Sequence, residues 1–292
     1  MCCTSHRVTA PSSCGEQPEL IPGPVVQSST SAGPGISEST GYSDKPVARA
    51  IKIKHAGFNL SLVQGEKPQA SSGKLDKPQA VLYRIIKEKK IMKTSEALQI
   101  VGGLSKPSKM PGWAYGLPAA ECKTGSKLDK VPGSVCSGCY ALKGCYVFPV
   151  VQAAQYRRLK AIRSPLWVGA MALLINSKKS KEFRWHDSGD VQDEEHLLKI
   201  FAVAKLTPQV QHWMPTREAW TKHFLPECPK NLVIRFSGQM IDQPAIAAWP
   251  HTSTVSTKPE DRTCPAPDQN NECGSCRQCW DPSIKNICYG KH

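Results

Sequence analysis

The sequence lacks any long hydrophobic run. Its longest apolar stretch, residues 166–175, has ten residues, whereas a helix that spans a bilayer needs about 20. The first residues also lack the apolar segment of a secretory signal, so we expect a cytoplasmic protein with reduced cysteines. Motifs of phosphate-binding loops, zinc peptidases and serine hydrolases are absent, which leaves those chemistries without support.

Cysteine, by contrast, is plentiful: the chain has 13. Cys136 and Cys139 are separated by two residues, a spacing that lets thiolates converge on one metal. Cys122 can return to the same point, because the intervening residues 123–135 include the Gly and Pro typical of turns. Three thiolates leave one metal position open, which favours a four-iron cluster, whereas a structural zinc takes four ligands and Cys145 is available as the fourth.

A second group of cysteines lies near the end of the chain, in CPAPDQNNECGSCRQC. Its four predicted metal ligands are Cys264, Cys273, Cys276 and Cys279. Both a second iron–sulfur cluster and a closed tetrahedral zinc site suit this spacing. Cys288 and His292 are spare ligands for either metal.

The composition also indicates a class of partner. The formal net charge is +14, which favours an anionic partner, and we expect nucleic acid or a nucleotide rather than a membrane. A basic, solvated surface without such a partner is the alternative.

The chain divides into three parts by composition. Residues 1–48 are rich in Ser, Pro and Gly and are expected to be disordered. Residues 49–91 form a poorly defined basic extension, and Met92, a possible alternative start, begins the globular part. We expect residues 92–292 to form one α/β domain that includes the cysteine cluster at 264–288.

Strand-like and helix-like segments alternate from residue 93 onward. Strands are predicted over residues 113–117, 183–187, 210–214, 232–236 and 252–256. Helices are predicted over residues 149–163, 165–176, 194–206, 217–224 and 243–249. This alternation predicts a mostly parallel sheet, and we expect a partial (β/α) barrel, with an open doubly wound sheet as the alternative.

Polar residues follow most of the predicted strands. Ligands of parallel β/α folds bind at the carboxyl ends of the strands, so we expect these residues to line one mouth. The residues expected there are Asp187, Asp190, Thr216, Arg217 and Ser237. Capping of the next helix is the alternative for both aspartates.

Several segments together resemble the phage gene product 88 family: SVCSGCYALKGCY, RWHDSGDVQ, WMPTRE, NLVIRFS, HTSTVST and CGSCRQCWD. The resemblance extends from about residue 93 to residue 292. The chain is also distantly similar to phage proteins with a radical S-adenosylmethionine-like barrel, in which a cysteine loop follows the first strand. This similarity implies that Ser188, Gly189 and Asp190 hold the methionine amino group of the cofactor.

The leading hypothesis is therefore an iron–sulfur enzyme of phage origin, acting in the host cytoplasm on nucleic acid or a nucleotide. Its four-iron cluster, on Cys122, Cys136 and Cys139, would chelate S-adenosylmethionine and would need an electron donor if it is redox-active. Catalysis is assigned to Asp187, Asp190 and Arg217. Cofactor binding is assigned to Ser188, Gly189, Asp190, Thr216 and Ser237. The alternatives are a zinc-stabilised nucleic-acid-binding module and a zinc-containing base-modifying transferase with an aspartate nucleophile such as Asp187.

Overall fold

The computed structural model describes residues 92–291. The expectations for the tail at 1–48, the extension at 49–91 and His292 lie outside the described residues. The helices are α1 (Thr94–Val101), α2 (Lys123–Leu128), α3 (Pro149–Ala161), α4 (Trp167–Ser177) and α5 (Glu194–Leu206). The strands are β1 (Trp113–Tyr115), β2 (Glu182–Trp185), β3 (Gln211–Thr216), β4 (Leu232–Ser237), β5 (Thr252–Ser256) and β6 (Asn286–Gly290). None of the helices in residues 92–291 is long and apolar enough to cross a membrane.

Local chemistry explains where the helices begin and end. Pro149 starts α3, where its missing N–H costs nothing. The Asp193 side chain caps α5 by accepting a hydrogen bond from the His196 N–H at 2.9 Å. Gly102 ends α1 in the left-handed conformation, with a φ of 78°.

The six strands form one parallel sheet in the order β1-β2-β3-β4-β5-β6. Each strand pairs only with its neighbours in the sequence, and β1 does not pair with β6, so the sheet stays open. A doubly wound sheet would reverse its strand order at a switch point, and this sheet does not. The predicted partial (β/α) barrel of parallel strands is confirmed.

Successive side chains of each strand enter two different cores, because the side-chain period of a strand is two. On β3, Met214 packs in the core that the helices share with Trp185 of β2. The adjacent Trp213 packs in a second core with Val255 and Tyr289, on the other face of the sheet.

The cysteine-rich chain between β5 and β6 covers this second face. No α-helix lies in residues 257–285, and Cys264, Cys273 and Cys279 belong to the second core. Arg235 of β4, with no exposed surface, donates hydrogen bonds to four carbonyl oxygens of this segment at 2.8–3.0 Å. Hydrogen bonds to a charged group contribute about 1.5–3 kcal/mol each, so Arg235 holds the segment firmly on the sheet.

Two local predictions were wrong, and one strand was not predicted. Residues 243–249 form irregular chain with a turn at 247–248 rather than a helix, because Pro244 and Pro250 leave only a short segment between them. The helix predicted at 217–224 is a 3-10 helix, Ala219–Glu227, with Pro226 inside it. Strand β6 was not predicted, because its five residues lie in the segment that was interpreted as metal ligands.

Candidate functional site

The first cysteine loop, residues 122–139, lies across the carboxyl ends of the strands. Glu218, which follows β3, accepts a hydrogen bond from the Thr124 N–H through its Oε1 atom at 2.9 Å. Farther along, the Val135 N–H donates to the carbonyl oxygen of Gln239, which follows β4, at 2.8 Å. The loop therefore runs from the end of β1 across β3 to β4.

Gly125 of α2 lies between two sulfur atoms of this loop. A Cβ atom on Gly125 would be 3.6 Å from Cys122 Sγ and 3.7 Å from Cys136 Sγ. Both sulfurs therefore border the position of a side chain at residue 125, and this position is crowded, because the same Cβ atom would lie 2.9 Å from Cys122 Cβ. Cys139 is close enough to raise the pKa of both thiols electrostatically, and no disulfide joins any of the ten cysteines in residues 92–291.

A buried guanidinium lies beside these thiols. Burial is the largest cause of the raised pKa of both Cys122 and Cys136, and the positive charge of Arg217 opposes it. The Nε and Nη2 atoms of Arg217 are buried and have no hydrogen-bond partner among the described residues. Because unpaired buried donors are costly, this guanidinium is ready to receive a thiolate, carboxylate or phosphate group.

Asp190 fixes the strand exits around this guanidinium. Its Oδ1 atom accepts a hydrogen bond from the Val191 N–H at 2.7 Å, and its Oδ2 atom accepts one from the Arg217 N–H at 2.9 Å. Burial raises the pKa of Asp190 to about 6, while these hydrogen bonds and the buried Thr216 hydroxyl oppose the shift. Asp190 thus joins the chain after β2 to the chain after β3.

The turn after β2 packs tightly against the chain after β1. The Ser188 hydroxyl donates to the Leu117 carbonyl oxygen at 2.7 Å and accepts a hydrogen bond from Gln155 Nε2 at 2.9 Å. Gly189 has a φ of 78°, and a Cβ atom on it would lie 2.6 Å from Leu117 Cβ. Only glycine fits there, so Ser188 and Gly189 hold two strand exits together.

Asp187 lies in different surroundings from Asp190. It lines a cavity of about 320 Å³, together with Ser105, Tyr146, Gln155 and Arg158 among others. Burial raises the pKa of Asp187, and the guanidinium groups of Arg184 and Arg158 oppose the shift. Asp190 does not line this cavity, so the two aspartates predicted to share a mouth do not line one cavity.

The cavity nevertheless adjoins the first cysteine loop. The hydroxyl of Tyr140, the residue after Cys139, donates to the Asp187 carbonyl oxygen at 2.5 Å. Ser237 is the last residue of β4 and therefore lies at the same edge of the sheet. Its Oγ atom accepts a hydrogen bond from Ser253 Oγ at 3.2 Å. Cys145 is exposed.

The C-terminal cysteines form a separate site on the second face of the sheet. All four line one narrow cavity of about 10 Å³, with Trp280 and Ile287 among its apolar walls. Such a volume corresponds to about one water-sized sphere. On β6, Ile287 and Tyr289 face the second core. Cys288 lies between them and therefore points to the opposite face of the sheet, away from the four C-terminal cysteines.

The chemistry of the first group suits a cluster better than a single ion. In residues 92–291, no three His, Cys, Asp or Glu side chains lie close enough to hold a metal ion as they stand. A four-iron cluster places its own iron and sulfide atoms between its thiolates, so its ligands are farther apart than those of one ion. Three neighbouring thiols, a glycine between two of them and a guanidinium fit such a group, and the metal assignments stay predictions.

Sequence reasoning missed the contribution of α3 to the site. Gln155 and Arg158 are both buried, and both line the larger cavity. They are three residues apart and therefore share one face of the helix. That spacing was the available signal, but the helix PVVQAAQYRRLKA was interpreted only as an element of the fold.

Fold and site together define a class of protein: an open, sequentially ordered parallel β/α sheet with a cysteine loop across its carboxyl edge. A family model described as gene product 88 matches residues 82–282, more than half of the chain, and the protein belongs to the gene product 88 family. The match includes the first cysteine loop, the strand exits and the four C-terminal cysteines. No curated protein and no solved structure shows significant similarity to the chain.

Proposed function

We propose that this gene product 88 protein is an iron–sulfur enzyme, similar to radical S-adenosylmethionine enzymes, that acts on nucleic acid or a nucleotide. The observation that carries the proposal is the convergence of two cysteine sulfurs at Gly125. The unpartnered guanidinium of Arg217 lies beside them. The sheet order and the position of the cysteine loop after β1 agree with that class of fold.

In this proposal Cys122, Cys136 and Cys139 hold a four-iron cluster. When bound, the cluster supplies a redox centre with one iron open to a ligand such as S-adenosylmethionine. The thiols must lose their protons to bind metal, and burial holds the pKa of Cys122 and Cys136 above the ordinary value. Metal loading is therefore expected to increase with pH.

Arg217 has two tasks that its position supports. Its charge stabilises the thiolate forms of Cys122 and Cys136, and its unpaired Nε and Nη2 atoms are available as donors to a carboxylate or phosphate of a bound ligand. Asp190 positions this residue by accepting hydrogen bonds from the Val191 and Arg217 N–H groups, and the remaining lone pairs of its carboxylate are available to the ligand, as predicted for Asp190 and Thr216.

The C-terminal cysteines favour a second candidate function, a zinc-stabilised nucleic-acid-binding module. Their shared cavity is narrow and apolar, and Arg235 binds the carbonyl oxygens around it. A closed structural metal suits such surroundings, whereas a catalytic metal needs an open position. We assign this second group a structural role in either candidate function.

The test is anaerobic purification followed by measurement of iron, acid-labile sulfide and zinc. We expect brown protein that absorbs broadly near about 400 nm, as thiolate-bound clusters do, and that loses most of this absorbance in Cys136→Ala. Cys228→Ala is the matched control, because Cys228 is also partly buried but hydrogen-bonds to the Leu232 carbonyl oxygen, away from both groups.

Colourless protein that carries stoichiometric zinc would refute the iron–sulfur proposal and support the zinc module. An equal loss of colour in Cys136→Ala and Cys228→Ala would show that the effect comes from lost stability rather than from a lost ligand.

A further inference from the structure

The larger cavity contains a carboxylate with unused hydrogen-bonding capacity. Asp187 is 8% exposed, and its Oδ1 atom has no hydrogen-bond partner among the described residues. Hydrogen bonds from the Ser105 side chain and from its own backbone N–H occupy only part of the capacity of the carboxylate, and they oppose its raised pKa. The carboxylate can come this close to the backbone because residue 116 is glycine: a Cβ atom there would lie 2.5 Å from Asp187 Oδ1. Since the terminal torsion of an aspartate is broad, either oxygen can turn toward a ligand.

Nearby charges indicate that the ligand is neutral where it meets Asp187. The guanidinium groups of Arg184 and Arg158 both lie close enough to oppose the raised pKa of the carboxyl group. The two guanidinium groups already compensate the negative charge of Asp187, so a cationic ligand would add a third positive charge to the same place. Neutral N–H donors meet the need of the carboxylate without that cost.

The rest of the wall supplies a second acceptor and apolar surface. The side-chain amide of Gln155 donates a hydrogen bond to Ser188 Oγ, which leaves its carbonyl oxygen available as an acceptor. Tyr146, Val151 and Val150 add apolar surface, and Val150 is 75% exposed, so the cavity opens to solvent. A volume of about 320 Å³ is at the lower end of ordinary ligand pockets, as expected for a nucleobase or nucleoside.

We infer that this cavity binds a nucleobase whose edge carries adjacent N–H donors, as guanine does, with Asp187 as the acceptor. A guanine edge offers its ring N–H and its amino group side by side, and a carboxylate can accept both. Adenine places an acceptor beside its amino group and so meets the carboxylate with a mismatch. Guanine-containing nucleic acid or nucleotide would then be the substrate class of the proposed iron–sulfur enzyme, and in this respect the inference rests on the proposed function. Binding of the base to the cavity does not involve the metal.

The experiment is isothermal titration calorimetry of the purified full-length chain, with metal content measured on the same sample. Guanosine is expected to bind at least about 10-fold more tightly than adenosine or 1-methylguanosine, in which a methyl group replaces the ring N–H. Guanosine monophosphate and a single-stranded oligonucleotide with one guanine distinguish a free nucleotide from a polymer as the source of the base.

Asp187→Asn replaces an ionised acceptor with an amide, and should weaken guanosine binding by about 10-fold or more. Asp242→Asn is the matched control, because Asp242 follows β4 but is exposed and accepts hydrogen bonds from Ser256 and Thr257. Its guanosine affinity should equal that of the wild type. Thermal melting of both variants checks the fold.

Equal affinity of the wild type for guanosine, 1-methylguanosine and adenosine would overturn the inference, even if Asp187→Asn does not fold. So would unchanged guanosine binding in a folded Asp187→Asn variant. Protein that contains iron but shows no guanosine binding refutes this inference alone, whereas protein that binds guanosine but contains no iron refutes only the proposed function.

Discussion

Gly125→Ala tests whether the space between the two sulfurs belongs to a metal group. The substitution removes no thiol and changes no charge. Its methyl group would lie 3.6 Å from Cys122 Sγ and 3.7 Å from Cys136 Sγ, which is ordinary contact for the metal-free thiols. A metal group held by Cys122 and Cys136 would bond to their sulfurs at about 2.3 Å, and the methyl group would crowd the surroundings of both sulfurs.

The effect on stability should be small. Gly125 lies in α2 without a positive φ, so alanine gains roughly 0.5–1 kcal/mol in helix propensity. The same Cβ atom would lie 2.9 Å from Cys122 Cβ, and the shift that this close contact requires offsets part of the gain. We expect the free energy of unfolding of the metal-free variant to change by about 1 kcal/mol or less.

Gly138→Ala is the control, because it lies in the same loop, next to Cys139. A Cβ atom on Gly138 meets no atom closer than 4.0 Å. Iron and sulfide analysis after anaerobic purification should show that Gly125→Ala loses most of its cluster while Gly138→Ala keeps it. Wild-type iron content in Gly125→Ala, with the same absorbance spectrum, would refute the assignment of this space to the cluster.

Three further predictions address the surroundings of the two cysteine groups. Burial raises the pKa of Asp190 from 3.8 to about 6, so the unfolded chain loses this proton first as the pH increases. The free energy of unfolding of the wild type should therefore fall by about 3 kcal/mol relative to Asp190→Asn between about pH 4 and pH 7, and urea titrations showing a constant difference would contradict this. Cys276→Ser should lower the melting temperature more than Cys228→Ser, because a metal held by four thiolates couples its binding to folding. Equal melting of the two variants would argue against a metal at the C-terminal cysteines. Arg217→Lys keeps the charge but loses the planar fork of donors, so we expect retained metal content with weakened binding of S-adenosylmethionine. Unchanged cofactor affinity would show that the fork has no part in binding.

The architecture could be predicted because short, apolar strands alternate with helices along most of the chain. The prediction failed where the same residues were consistent with two different structures. β6 has the sequence NICYG, whose cysteine suggests a spare metal ligand. In the structure this segment is a strand that pairs with β5 over five residues. The helix expected at 243–249 failed because prolines at both ends outweigh its apolar residues.

The position of the candidate residues after the strands could be predicted, but their division between separate surroundings could not. Asp187 and Asp190 are three residues apart after one strand, and the sequence favours a single shared mouth. In the structure, His186 has a φ of 64° and Gly189 one of 78°, and these two residues bend the turn tightly. Asp187 then lines the cavity beside α3, and Asp190 joins Arg217. A glycine can indicate such a turn, but a left-handed histidine cannot be recognised from residue type.

The arginines at the strand ends offer a physical criterion for separating the two cysteine groups. Arg235 donates four of its five guanidinium N–H groups to carbonyl oxygens of the C-terminal segment, so its buried charge is matched within the fold. Arg217 is held in place through its backbone N–H by Asp190, yet two of its guanidinium nitrogens are buried without a partner. Leaving such donors unpaired costs free energy in the absence of an anion. A residue that served folding alone would gain by turning toward a carbonyl oxygen, as Arg235 does. We therefore expect a bound anionic group beside Cys122 and Cys136 to relieve this cost.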